Sequence, residues 1–161
     1  MRGRAARWIA AVLALVACNA VALAQSQPPQ DLSTFPFTTL TIKSGATVHR
    51  FRAWVADTPA RQEQGLMFVR ELSPDQAMVF THCCTGIWMK NTYIELDIVF
   101  VAADGHILKI APRARPFDET TIRADGDVDD VVELKGGEAE ALKLKVGDHV
   151  DWSAKRMPEK S

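Results

Sequence analysis

The sequence carries almost no net charge. Nineteen basic residues face 20 acidic ones, a formal net of -1 over 161 residues. Nucleic acid is therefore not the default partner, because neutralising phosphates needs clustered positive charge. Cysteine is scarce, at three residues. No CxxC pair occurs, so no thiolate metal site is spelled out. G-x-S-x-G, H-E-x-x-H and a phosphate-binding glycine loop are all absent, which removes the motif-defined hydrolases and nucleotide enzymes. The histidines stand apart at positions 49, 82, 106 and 149, none at ligand spacing. No metal and no cofactor is expected on these grounds. There is no internal repeat. Beyond the N-terminus no run is apolar enough to cross a bilayer.

What remains is an ordinary globular balance, 47% hydrophobic and 24% charged residues, in a length that suits one domain. The first 24 residues read as a signal peptide. Arg2, Arg4 and Arg7 form a positive start, and Trp8 to Val16 an apolar run too short to span a membrane. Ala22-Leu23-Ala24 supplies small residues for cleavage, leaving Gln25 first. A competing signal is Leu15-Val16-Ala17-Cys18, which resembles a lipobox with Cys18 as the lipidated residue. Either way the domain is expected outside the cytoplasm, periplasmic or secreted, or lipid-anchored at the membrane. Removing residues 1–24 takes away three arginines and no acid, so the mature net charge falls to -4.

Residues 25–36 are rich in Gln, Pro and Ser and read as a flexible leader. A single domain is expected over 37–153, followed by a polar tail, 154–161. Thr38 to Lys43 and Thr47 to Ala56 alternate as two strands around a Gly45 turn. In the second, His49, Phe51, Ala53 and Val55 share a face. Asp57-Thr58-Pro59 looks like a helix start, ending at Gly65. Ala77 to Thr81, Ile87 to Asn91 and Leu96 to Ala102 are further strands, and Asp104-Gly105 turns the last into His106 to Ala111. Val131 to Leu134 and His149 to Trp152 are strands around a short helix, Glu138 to Leu144. Seven or eight short strands and one or two short helices predict a mainly β, antiparallel, sandwich or barrel-like fold, not a parallel βαβ sheet.

Several blocks together resemble one family. They are Val55-Ala56-Asp57-Thr58-Pro59, then Arg61 with Gly65-Leu66-Met67 and Arg70, then Trp88-Met89-Lys90-Asn91-Thr92 with Leu96-Asp97. Asp104-Gly105, Val132-Glu133-Leu134 and Val146-Gly147-Asp148 complete the set, from about Leu40 to Trp152. The chain thereby resembles the bacterial and archaeal family called domain of unknown function 192. The resemblance implies a compact, mainly β sandwich domain, often exported, and names no reaction. Two places depart from the family's pattern. Glu95 stands where a proline is usual before the Leu-Asp pair, which would loosen that turn. His82-Cys83-Cys84 is not part of the pattern.

Six residues are candidate ligand-binding positions: Arg61, Arg70, Trp88, Lys90, Asn91 and Asp97. An indole, an ammonium and an amide would converge on a carboxylate or a sugar hydroxyl, with Asp97 fixing Lys90 across a hairpin. Arg61 and Arg70 would grip an anion. The structural alternative makes Trp88 and Met89 core, Lys90 and Asp97 an ion pair, and each arginine a pin, to a carbonyl or to a carboxylate such as Glu133. Cys83 and Cys84 are disulfide candidates, vicinal or intermolecular; free thiols or a soft-metal site are the alternatives. Asp125 to Asp130 starts like a calcium loop, but Asp130 and Gly136 replace its glycine and glutamate, so a solvated acidic loop is expected. The function expected is a non-enzymatic binding or accessory module for a small polar ligand, carbohydrate or partner protein. The alternative is a hydrolase-like enzyme using Asp97 with Lys90 or Asn91.

Overall fold

A computed structural model describes residues 31–153. The signal peptide, Cys18, most of the leader and the tail lie outside the described residues. Ordered structure starts earlier than Phe37: Leu32–Thr34 form a 3-10 turn capped by the Asp31 carboxylate, and Phe35 is buried.

Nine strands follow. They are β1 (Phe37–Ser44), β2 (Thr47–Ala56), β3 (Gln76–Phe80), β4 (Gly86–Ile87), β5 (Leu96–Ala102), β6 (Ile107–Ala114), β7 (Ile122–Arg123), β8 (Val128–Lys135) and β9 (His149–Trp152). Two short helices join them, α1 (Pro59–Gln64) and α2 (Glu138–Ala141). Seven strands form one sheet in the order β6-β5-β8-β3-β2-β1-β9, and β4 pairs only with β7. The sheet curls: His106 bridges to His149, and backbone bonds from Ile107 to Asp148 and from Val150 to Gly105 bring the β6 end against β9. The fold is thus mainly β and half closed into a barrel.

Two details differ from the sequence expectation. One pairing, β2 with β3, is parallel, because α1 and the loop after it carry the chain back across the sheet before β3 begins. The segment after Ile87 does not form a hairpin with β5; Gly86–Ile87 pairs with β7 and the chain then leaves the sheet.

Both faces of the sheet are covered. Alternation sends Phe51, Ala53, Val55, Ala77, Val79, Val99, Val101, Val132 and Leu134 into the inner cluster. Their neighbours Met78, Phe80, Leu96, Ile98, Phe100 and Val131 enter an outer cluster with Phe35, Leu66, Leu72 and Met89. β5 is therefore buried on both sides, and it reads as a continuous apolar run, Leu96 to Ala102 broken only by Asp97. The outer cluster lies under α1 and the loops that carry most of the candidate residues.

Candidate functional site

Three loop segments meet over the outer core. They are 67–70 after α1, 88–93 after β4, and 115–118 after β6. Backbone bonds stitch them together: Phe68 N–H donates to the Asn91 carbonyl at 2.9 Å, Met89 N–H to Asp118 at 2.8 Å, and Phe117 N–H to Thr92 at 3.3 Å. Buried Leu66, Met89 and Thr92 anchor the segments, and Thr92 Oγ1 donates to the Lys90 carbonyl. Phe68, Asn91 and Phe117 have positive φ, at 66°, 52° and 61°. Such backbone is costly for a bulky residue and persists only where the surroundings impose it.

The result is an aromatic surface with cations lying on it. Phe68 meets Tyr93 edge-on at 6.1 Å, and Tyr93 meets Phe117 at 5.3 Å. The Arg70 guanidinium lies 4.7 Å from the Tyr93 ring centroid, and Lys90 Nζ 4.9 Å from that of Trp88. Phe68, Trp88 and Phe117 remain 41%, 42% and 59% exposed. Asn91 Nδ2 approaches Met67 Sδ at 4.0 Å. Asp118 accepts from Thr120 and Arg115, and these bonds hold its carboxyl below the usual aspartate range. Arg70, Trp88, Lys90 and Asn91 are thus brought together.

A family model described as uncharacterized ACR, domain of unknown function 192, matches residues 40–152. The chain belongs to this family. A protein of unknown function from Novosphingobium aromaticivorans is 38% identical; the match covers 78% of this chain and 91% of that one, with a TM-score of 0.73. A proposed transcription regulator from Sinorhizobium meliloti is 33% identical over 75% of this chain and 96% of that one, with a TM-score of 0.71. No functionally curated protein matches.

Two candidates from the family motifs stand elsewhere. Arg61, on α1, is a pin: its Nη1 bonds Asp57 at 2.6 Å, its Nη2 donates to the Thr34 carbonyl at 3.0 Å, and it covers the Phe35 ring. Asp97 is fully buried on β5. Its position alternates with Leu96 and Ile98, which face the loop cluster, so its side chain leaves by the opposite face. There Oδ1 accepts from the backbone N–H of Arg113 (2.8 Å) and Gly137 (2.9 Å), and Oδ2 from that of Ala139 (2.7 Å). No Lys90–Asp97 ion pair forms among the described residues. The expected cross-strand pair fails because its hairpin does not exist. At Glu95, the departure from the family pattern, the carbonyl accepts from Gly136 N–H at 2.9 Å and the side chain reaches Arg113.

Trp88 also corrects an expectation. The core residue of Trp88-Met89 is Met89, fully buried, while the indole stays half outside under Lys90. Trp88→Ala should therefore cost less than the roughly 3–5 kcal/mol of a buried tryptophan and less than Met89→Ala, which should cost roughly 2–5 kcal/mol. Thermal melts of the two variants check the ordering.

Cys83 and Cys84 are joined as a vicinal disulfide, with Cα atoms 3.7 Å apart, and both pack against the outer core. Next to them the fold assembles a cluster that lay scattered in sequence. His82 Nδ1 lies 3.0 Å from Asp129 Oδ1, and His82 N–H donates to Asp130 Oδ1 at 3.1 Å. One donor atom from each of the three lies within 4.8 Å of the others, a set that a divalent cation could share. Asp125, Gly126 and Asp127 are exposed, but the expected solvated acidic loop stops there: Val128, Asp129 and Asp130 belong to β8, and Asp130 is buried.

Sequence reasoning missed Phe68, Tyr93 and Phe117 as parts of the site. An aromatic beside Pro116 in a polar loop was the available signal. It also named Glu133 only as a partner for an arginine. Glu133 is buried in the outer cluster instead, receiving the backbone N–H of Leu66, and its Oε2 has no partner.

Proposed function

We propose that this chain is an exported, non-catalytic binding module, and that the aromatic–cation surface recognises a carboxylate-bearing segment of a partner protein. One observation carries the reading: of the six non-glycine residues in left-handed backbone among the described residues, three, Phe68, Asn91 and Phe117, fall one in each of the three segments that display the aromatics. Strain held in place by neighbouring structure marks functional loops. The composition points to a protein partner. Exposed Phe and Trp with Tyr, Met and Arg are the residues that anchor protein interfaces. Arg70 and Lys90 add charge for carboxylates. Export is supported by the basic, apolar and small-residue order of residues 1–24.

The regulator description of the Sinorhizobium relative is not carried over. This chain's net charge is -1, and the two cations of this surface, Arg70 and Lys90, lie on aromatic rings. Hydrolysis through Asp97 with Lys90 or Asn91 has no support either, since the carboxylate is spent on three backbone donors on the other face.

The test is a panel of acidic octapeptides containing one aromatic residue, with oligogalacturonates of equal charge as the carbohydrate arm. Arg70→Ala and Phe117→Ala should each weaken peptide binding about tenfold at unchanged melting temperature, the size expected of an interface anchor. Retention of the saccharides but not the peptides would replace the partner by a glycan. Binding that ignores both substitutions would refute the assignment of the surface. N-terminal sequencing of exported protein should find Gln25; a lipidated Cys18 would move the module to a membrane surface.

A further inference from the structure

Glu133 lies directly beneath the root of the 67–70 segment. It shares the outer face of β8 with Val131, and its neighbours across the sheet are Met78 on β3 and Ile98 on β5, both fully buried. The α1 end closes over it. Gly65 adopts φ 50° and ψ -133°, and a Cβ there would come within 2.8 Å of the Phe80 ring and 3.7 Å of Glu133 Oε2. Only glycine lets the turn sit this low. The next residue, Leu66, gives its N–H to the Glu133 carboxyl. From there the chain passes through Met67 to Phe68, whose N–H is held by Asn91, and on to Arg70 over Tyr93.

We propose that Glu133 is the positioning residue of the binding surface: its buried carboxyl holds the Gly65–Leu66 turn down and thereby places Phe68 and Arg70 against Tyr93. The proposal rests on the reading of that surface as the binding site. Glu133 itself is out of reach of a ligand, at 4% exposure.

The surroundings decide the charge state. Of the charged groups on the packed elements, Arg61 is committed to Asp57 and Thr34, Glu63 and Lys135 are exposed, and Asp97 faces the far side of the sheet. Asp130 is tied to the His82 backbone, Asp129 lies beside the His82 ring, and β3 contributes no charge. Arg70 covers Tyr93. Among the described residues nothing compensates a carboxylate except the one N–H of Leu66. That bond favours ionisation, but burial outweighs it and pushes the Glu133 pKa up to about 8. Ionisation must then bring water to Oε2, and the backbone closest over it is the Gly65–Leu66 turn, where a Cβ on Gly65 would lie 3.7 Å from Oε2. When that turn lifts, the segment bearing Phe68 and Arg70 lifts with it.

The experiment is amide hydrogen exchange on the full chain between pH 6 and 9, corrected for intrinsic base catalysis. The amides of Leu66 and Phe68 should exchange roughly a hundredfold faster at pH 9 than at pH 6, since each pH unit below the pKa of about 8 lowers the ionised fraction about tenfold. In Glu133→Gln, a neutral isostere, the corrected rates should stay flat. A wild-type profile that is itself flat, or a Gln variant with the same slope, overturns the proposal. Should Glu133→Gln fail to fold, carboxyl-labelled wild-type protein replaces it. The midpoint of the Glu133 carboxyl titration must coincide with that of the Phe68 exchange, and separate midpoints overturn it. These readouts need no ligand. Failure of the peptide panel would sink the partner assignment while leaving the exchange result to judge Glu133.

Discussion

Asp97→Ala should unfold this domain or come close to it. The carboxylate serves three backbone donors that have no other acceptor nearby. Arg113 stands at a bulge where β5 and β6 slip register, with φ at 49°, and its N–H points at Asp97 instead of along the ladder. Gly137 and Ala139 are the N-cap and second residues of α2, whose cap has no side chain of its own to offer. Asp97 is therefore the distant cap of a helix and the filler of a bulge at once. Removing it leaves buried N–H groups unpaired, at roughly 1–3 kcal/mol each. A loss of about 3–5 kcal/mol is a large share of the roughly 5–15 kcal/mol that holds a domain together. Asp97→Asn should be milder. Its remaining carbonyl can keep the Oδ1 bonds to Arg113 and Gly137, while the amide opposes only Ala139. Urea unfolding should rank wild type above Asn and Asn above Ala. Equal stability of all three would show that the carboxylate serves some purpose other than holding the backbone.

The same residue shows where the sequence was legible and where it was not. Strands announced themselves through alternation and turn residues: β1, β2, β5 and β6 lie close to where Gly45 and Asp104-Gly105 put them. The two clusters also follow from period two, once both faces of β5 and β8 are seen to be apolar. Long-range pairing was not legible. Nothing near Asp97 in the chain reveals that Gly137 and Ala139, some forty residues on, will aim their N–H groups at it. An acid within a motif block therefore read as site chemistry when it was backbone satisfaction. Trp88 failed for a related reason. Alternation along a strand puts Trp88 and Met89 on opposite faces, and the structural alternative made both core; the chain leaves the sheet at Ile87, and of the two only Met89 is buried. The aromatic surface was half legible: Arg70, Trp88, Lys90 and Asn91 came from the motif blocks, while Phe68, Tyr93 and Phe117 needed the three loops to be folded together. Glu133 sat in a strand pattern as an ordinary polar interruption, and only its burial makes it unusual.

That burial has a consequence for stability as a function of pH, separate from the placement of the loop. The Glu133 carboxyl titrates at an ordinary value of 4.5 when the chain is unfolded, and at about 8 in the folded domain. Between these values the native state keeps a proton that the unfolded state releases, so unfolding is favoured progressively as pH rises. The stabilisation is complete below about pH 4.5 and is lost by the time pH has risen through 8. The slope is about 1.4 kcal/mol per pH unit, so the whole change is on the order of a few kcal/mol. Glu133→Gln should remove this slope. The variant keeps an acceptor for the Leu66 N–H but buries an amide with two donors where the acid has one, so it should be less stable than wild type at pH 5. At pH 8 the order should narrow or invert, because the wild-type chain is then losing its proton and the glutamine has none to lose. Denaturant titrations of both proteins at half-unit steps from pH 5 to pH 8.5 would show two converging or crossing curves. Parallel curves would mean that Glu133 is already ionised in the fold at neutral pH, with a compensating partner that the described residues do not supply.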